Sequence, residues 1–392
     1  MSEPRRVALL IASGMEYGRG LLRGIGAYAQ AHGPWAIFHR VAMLPETLSP
    51  QFRKWRPDGI IGQFESPKVL RQVRRLKVPA VDLLVLHSSR GIPRLGVDNP
   101  AVSRMAADYF RELGFENIAY CGFRGVHYCE ARCRAFVAYV EQLGYPVHVF
   151  PNAEPTAPGS VFDIEAAGQF EIDRIGRWLR TLPKPAALMA GTDVRARQVL
   201  EACRALDLRV PADVAVIGVG NDEVMCNLAD PPLSSVALRP EEIGKQAAAL
   251  LDRMMRGEKP PDEMVEIGPL CIVSRQSTNT LAIKDPMVHE AVRYIREHYA
   301  EGVTISKLTA RLGVSRSTLQ RRFVEALGRS PRAELIRVQL ARVEQLLRDT
   351  DLPLVKIARR TGFNYVECMM KLFKRKTGKT PSEYRAGRPP KR

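Results

Sequence analysis

Arg316, Ser317, Gln320 and Arg321 lie within GVSRSTLQRRFVEAL (313–327) at spacings that put them on the outer side of a helix, while Leu319 and Phe323 share its inner side. These are residue types that read the edges of base pairs. An arginine reaches the two acceptors of guanine, and a glutamine matches the donor and acceptor of adenine. A second set stands in TGFNYVECMMKLFKRKTG (361–378). There Asn364, Glu367, Cys368 and Lys371 face outward, and Val366, Met369 and Phe373 face inward. Lys374, Arg375 and Lys376 follow, where their cationic heads can meet phosphate oxygens.

Each set needs a framework that fixes one helix against another. Residues 305–312 read as a first helix, Gly313 as a left-handed stop, and Ser315 as the cap of the next helix. Residues 353–376 repeat the plan, with Ile357 and Ala358 on the first helix and Gly362 at the turn. Between the two units (305–327 and 353–376), PRAELIRVQLARVEQLLRDT (331–350) is long enough for a rigid spacer helix. A helix, a tight turn and a second helix with a polar outer face is the plan that places a helix in a major groove. One such unit is common in purely structural bundles; two in tandem, both basic, predict double-stranded DNA as a partner.

The charge distribution agrees. Residues 285–392 hold 24 Lys and Arg against 11 Asp and Glu, a net of +13, whereas the first 284 residues hold 35 against 31, a net of +4. The positive excess is thus concentrated where a polyanion would bind. At 392 residues, with 45% hydrophobic and 26% charged residues, the chain is long enough for two or three domains with separate cores. No apolar run reaches the length of a membrane span, and MSEPRRVALLIASG reads as a first buried strand, not a signal peptide. The seven cysteines show neither a CxxC pair nor zinc spacing, which fits reduced thiols in a cytoplasmic protein with no metal and no cofactor. No GxSxG, Walker A, HExxH or GxGxxG fingerprint is present, so an enzyme is disfavoured. A constitutive architectural DNA binder is a further alternative, but it has no use for the long region that precedes the helices.

That region alternates short apolar runs with amphipathic helices. VALLIAS, WAIFHR, DGIIGQF, PAVDLLV, NIAYCGF, AALMAG and VAVIGVG read as strands, with helices such as AVSRMAADYFRELG between them. The alternation predicts βαβ units with parallel sheets in two α/β lobes. The expected limits are a two-lobed α/β region over 1–278, a linker over 279–286, a helical domain over 287–386 and a disordered basic tail over 387–392. Within the α/β region, lobe 1 is placed at about 1–113 and 238–258, and lobe 2 at about 114–237 and 264–278.

At the carboxyl end, SRSTLQRRF, the spacing to PLVKIARRTGF, and FKRKTGKTPSEYR resemble the AraC/XylS family of transcription regulators. The resemblance covers about residues 285–386 and implies two recognition helices in successive major grooves. It departs at Glu367-Cys368-Met369, where that family usually has a Ser-Tyr-Phe-like run. The first 278 residues resemble the ligand domain of LacI/GalR-type repressors, a periplasmic-binding-protein fold. DGIIGQF, GVDNPAVSRMAADYFRELG, NIAYCGF, PADVAVIGVGNDE, PPLSSVALRPEEIGKQAAALLDRM and VSRQST carry that likeness. The pairing of the two parts resembles the xylose operon regulator group.

The resemblance implies a small sugar, D-xylose or a similar monosaccharide, bound between the lobes at the strand ends. Such a ligand wants carboxylates, amides, arginine donors and an aromatic face. The loops offer Tyr17 and Arg19, Glu65, Asp98 and Asn99, Arg132, Thr192 and Asp193, and Asn221 and Asp222. Arg132 matches the ligand-clamping arginine of the LacI-type pattern, and Asp193 falls in its Asn/Asp-Asp element. Gly220 stands where that family commonly has Asp, which Asn221 or Asp222 could cover. Each polar residue has a capping or hinge role as its alternative, Asp98 and Asn99 as caps of the helix near Pro100. The resemblance further implies an activator, a homodimer on two half-sites, and RNA polymerase as a further partner. A response to a different small molecule, or to none, is the alternative.

Overall fold

The computed structural model describes residues 3–39, 44, 47–86, 91–152, 160–261, 264–279 and 285–386. Residues 280–284 of the expected linker and the basic tail (387–392) lie outside them. The chain divides into two compact units, Met1–Thr280 and Leu281–Arg392.

The first unit opens with β1 (Arg5–Leu10), α1 (Glu16–His32), β2 (Trp35–His39), α2 (Pro50–Trp55), β3 (Gly59–Gly62), α3 (Pro67–Arg75), β4 (Ala80–Asp82) and β5 (Leu95–Val97). Next come α4 (Asn99–Glu112), β6 (Asn117–Cys121), α5 (His127–Gln142), β7 (Val147–Val149), α6 (Val161–Ala167) and α7 (Ile172–Thr181). After them run β8 (Ala186–Ala190), α8 (Asp193–Ala205), β9 (Val214–Gly220), α9 (Glu223–Leu228) and β10 (Ser234–Ala237). α10 (Pro240–Met255), β11 (Val265–Ile267) and β12 (Cys271–Val273) complete the unit. Strands β2-β1-β3-β4 form a parallel sheet, and β11 pairs with β5 beside it. The second sheet runs β12-β10-β9-β8-β6-β7, parallel except for β12. Such strands are apolar on both faces because helices cover both. Val214 through Val219 of β9, for example, are all buried.

The lobes differ from the sequence expectation at two crossings. Helix α4 packs on α5 and on the β10 and β12 edge, so the chain passes to lobe 2 at Asp98–Asn99 and not near residue 113. Strand β11 pairs with β5 of lobe 1, so the last return lies between Ile267 and Cys271, and residues 265–267 do not belong to lobe 2. The strand expected over PAVDLLV also stops early. The buried Asp82 carboxylate accepts from the amides of Leu84 (3.0 Å) and Val85 (3.3 Å), which turns the chain out of the ladder.

The second unit consists of α11 (Pro286–His298), α12 (Ile305–Leu312), α13 (Arg316–Leu327), α14 (Pro331–Asp349), α15 (Leu354–Arg360), α16 (Val366–Thr377) and α17 (Pro381–Ala386). Helix α14 packs against α11, α13, α15, α16 and α17. Leu340, Val343, Leu347, Ile357, Met369 and Phe373 form the core that joins α14 to the second helix pair. At its start α14 carries Glu334, fully buried, whose carboxylate accepts from Arg329 Nε (2.6 Å) and Arg337 Nη2 (2.7 Å). Burial alone would raise this carboxyl, yet Arg337 and Arg329 hold it below its ordinary range. Arg329 lies just past the end of α13, so the pair fixes that helix to the spacer. Glu334→Gln leaves two arginines without a carboxylate and is expected to cost about 2 kcal/mol. Hydrogen exchange of α13 and α14 amides should accelerate roughly 30-fold.

Candidate functional sites: a cavity between two lobes and two exposed helix faces

Strand ends from both lobes surround a cavity of about 410 Å³. Tyr17 reaches it after β1, Gln63 after β3, Leu83–Val85 after β4, and Asn99 at the start of α4. Lobe 2 adds Tyr128 and Arg132 from α5, Glu165 from α6, Thr192 and Asp193 after β8, and Gly220 and Asp222 after β9. Ligand sites lie at the carboxyl ends of parallel strands because helix starts and free amides gather there.

The polar groups are held in place. Arg132 is buried; its Nε donates to Asn99 Oδ1 (3.0 Å) and its Nη1 to the Gly191 carbonyl (2.6 Å). Its guanidinium also lies 5.1 Å from the centre of the Tyr128 ring. Among the described residues Nη2 has no acceptor, leaving a pre-oriented charged donor at the cavity wall. Asp193 is the first residue of α8 and is capped into position by Thr192. Its Oδ1 accepts from Ser235 Oγ (2.6 Å) and its Oδ2 from the Asp222 amide (2.9 Å). Burial raises the Asp193 carboxyl, against these two hydrogen bonds. Gly220 has φ +130°, and a Cβ there would stand 3.0 Å from Asp193 Oδ2. Glycine at this position therefore makes room for Asp193 in a conformation that other residues resist.

Two protonation states stand out. Burial pushes Glu165 up to about 7, although the Tyr128 hydroxyl donates to it at 3.1 Å. Burial pushes the Tyr17 hydroxyl up to about 12, so at neutral pH it stays a donor.

The cavity gathers Tyr17, Asn99, Arg132, Thr192, Asp193 and Asp222 from the sequence candidates, and four others stand apart. Arg19 turns back to Glu16 (3.0 Å) and to the carbonyls of Ser13 and Gly14, closing the turn before α1. Asp98 caps α4 through the Ala101 amide (2.7 Å), the alternative role noted for it. Asn221, at φ +55°, donates its amide to Ser235 Oγ and accepts from Arg275. Glu65 accepts from the Val161 amide at 2.5 Å, joining lobe 1 to the start of α6 in lobe 2. Sequence reasoning missed Gln63, Tyr128 and Glu165. Tyr128 stands four residues before Arg132, the helical spacing that stacks them, which is a signal the sequence does contain.

In the second unit, Ser315 Oγ accepts from the Thr318 amide (3.1 Å) and starts α13, whose Leu319 and Phe323 are fully buried. Arg316, Ser317, Gln320 and Arg321 are exposed. Ser317 Oγ lies 2.9 Å from Ser315 Oγ, and Arg321 pairs with Glu325 (2.8 Å) along the helix. Arg322 instead points to Asp285 (3.2 Å), the residue that caps α11. On α16, Met369 and Phe373 are buried while Glu367, Cys368, Lys371, Lys374 and Arg375 are exposed. Asn364 sits in the turn before α16 instead of on its face, beside Tyr365, which is exposed and was not foreseen. Lys376 holds Glu344 of α14 at 3.1 Å, a strut within the unit and not a free cation.

A model of a periplasmic binding protein-like domain matches residues 107–278, an XylR N-terminal domain residues 6–90, and a helix-turn-helix domain residues 308–387. The xylose operon regulatory protein of Escherichia coli K12 is 30% identical over 97% of this chain and 96% of its own. That of Haemophilus influenzae is 28% identical over 97% and 98%. A solved structure described as the xylose-binding transcription activator xylR superposes with a TM-score of 0.61 at 29% identity, covering 99% of this chain and all of the other. Among the described residues no helix is long and apolar enough to cross a membrane. With its two-lobed sensor and its paired helix-turn-helix units, this chain belongs to the xylose operon regulator family of DNA-binding transcription regulators.

Proposed function

We propose that the cavity binds a pentose-type monosaccharide, D-xylose or a close relative, and that binding alters how the two helix-turn-helix units engage promoter DNA. The observation that carries this reading is the convergence of Arg132, Asn99, Asp193 and Asp222 at strand ends between the lobes, with Arg132 Nη2 open to a ligand oxygen. The relatives' names, a xylose operon regulator and a xylose-binding activator, support the same effector and an activating role. A ligand shifts the lobes only if it binds one arrangement more tightly. The protein acts as a cytoplasmic homodimer on two half-sites and contacts RNA polymerase when activating. It works by binding, with no chemical step and no metal or cofactor.

Bases are read by Arg316, Ser317, Gln320 and Arg321 on α13 and by Glu367, Cys368 and Lys371 on α16, with Asn364 at the turn; Lys374 and Arg375 meet phosphates. Replacing Lys374 and Arg375 together with alanine should lower the slope of log affinity against log salt by about 2, leaving base preference intact. Thermal unfolding against a panel of pentoses and hexoses tests the effector. A midpoint that rises with D-xylose alone supports the reading, the folded state gaining about 2.7 kcal/mol at a hundredfold excess over Kd. A rise with another sugar changes the effector, and no rise with any sugar removes it.

A further inference from the structure

Of the acids that line the cavity, Asp193 and Glu165 are buried. Asp193 has both oxygens engaged, Oδ1 by the Ser235 hydroxyl and Oδ2 by the Asp222 amide. Glu165, 6% exposed, differs. Its Oε1 accepts from the Tyr128 hydroxyl (3.1 Å), whereas Oε2 has no partner among the described residues. The remaining acids of the lining are wetter. Glu16 and Asp222 are half-buried, Glu266 is exposed, and Glu16 is already paired with Arg19 and Arg23. A buried carboxyl oxygen without a donor is costly to keep, so a cavity wall that keeps one points to a ligand that supplies the donor.

The position of Glu165 is built from several directions. Ser160 and Asp163 form a reciprocal cap that starts α6. Gln198 Nε2 donates to the Glu165 carbonyl (3.0 Å), and Gln198 is itself fixed by Arg195, which is fully buried and paired with Glu171 (2.6 Å). From lobe 1, Glu65 accepts from the Val161 amide one turn earlier (2.5 Å). Burial pushes the Glu165 carboxyl up to about 7, against the Tyr128 hydroxyl, Arg132 and Arg195, while Asp193 adds to the rise. Tyr128 also ties Glu165 to the clamp, because the Arg132 guanidinium, with Nη2 open, lies 5.1 Å from the centre of its ring. One wall thus carries a fixed donor and a fixed acceptor, joined through one aromatic side chain. Sugar hydroxyls both donate and accept, so two of them on one ring can satisfy both groups. Resting on the reading that the cavity takes a monosaccharide, we propose that Glu165 is a specificity-determining residue: its Oε2 accepts from one hydroxyl of the sugar while Arg132 Nη2 donates to another, and this pair of bonds sets which hydroxyl pattern is accepted.

Titration calorimetry of the full-length protein with D-xylose and with its monodeoxy derivatives, each lacking one hydroxyl, tests this. A site built to bond a hydroxyl rejects the analogue without it, so the native protein should bind at least one derivative at least tenfold more weakly than D-xylose. Glu165→Leu should weaken D-xylose at least tenfold and bring the ratio for one derivative to near one, leaving the other ratios as they were. Glu165→Gln keeps an acceptor for Tyr128 and a polar group toward the sugar, and should restore most of that discrimination. Should Glu165→Leu not fold, Glu165→Ala is judged by the same ratio. Ratios that stay unchanged, even with every affinity lowered, mean that Glu165 only shapes the wall, and they overturn the inference while the sugar reading stands. Equal binding of D-xylose and all its derivatives by the native protein does the same. Binding of none of these sugars overturns the sugar reading and the inference with it.

Discussion

Replacing Arg316 and Gln320 together with alanine is expected to lower affinity for the promoter site about 1000-fold at fixed salt, with little change in affinity for a scrambled duplex. The two side chains stand one turn apart on the exposed face of α13, opposite the fully buried Leu319 and Phe323. Removing them leaves the packing of α13 untouched, and exposed substitutions of this kind change stability by within about 0.5 kcal/mol. Each well-made base contact is worth about 1–3 kcal/mol, so losing two costs about 4 kcal/mol of specific binding. Only one charge is lost, so the contribution from phosphates falls little. Neighbouring arginines sharpen the test. Arg321 is already paired with Glu325, and Arg322 with Asp285, so alanine at either position should cost less than the double change. Fluorescence anisotropy on specific and scrambled duplexes reads the ratio. An unchanged ratio would mean that α13 touches phosphates and does not read bases.

The second unit was more legible in the sequence than the first, for a local reason. A helix-turn-helix is specified by neighbours in the chain. Gly313 ends α12 in the left-handed region at φ +64°, Ser315 caps α13 two residues later, and Leu319 and Phe323 repeat at helical spacing. In the first unit, apolar runs announced the longer strands, but two features escaped. Strands β5 and β11, of three residues each, carry almost no periodicity and exist because they pair with each other across more than half of the first unit. Direction was the second. Glu16, Tyr17 and Arg19 sit together in sequence, yet Arg19 spends its donors on the preceding turn while Tyr17 lines the cavity. Nor did the sequence mark α6, a seven-residue helix whose second acid, Glu165, is buried at the cavity while its first, Asp163, completes the cap with Ser160. An acid in a short polar segment reads as solvated; only the lobe arrangement buries it.

That burial gives Glu165 a measurable signature. Its carboxyl is pushed up to about 7 from an ordinary 4.5, so the folded protein keeps a proton that the unfolded chain has released. Between those two pH values the native state binds more protons, and stability falls as pH rises. The contribution is therefore complete below about pH 4.5 and lost by about pH 7, a swing of roughly 3 kcal/mol. Glu165→Gln removes the titration while keeping an acceptor for the Tyr128 hydroxyl. Other groups titrate nearby: burial also raises Asp193, whereas Glu16 is held low by Arg23 and Arg19 against its own desolvation. The informative quantity is consequently the difference between the two proteins, not either profile alone. Calorimetric melting of the sensor from pH 5 to pH 8 should show the native protein losing stability relative to Glu165→Gln, most of it by pH 7. Parallel profiles would mean that Glu165 is ionised in the folded state. Because α6 is tied to lobe 1 through the Glu65–Val161 hydrogen bond, water would then reach the carboxylate through the lobe junction, which must open more often than this arrangement shows.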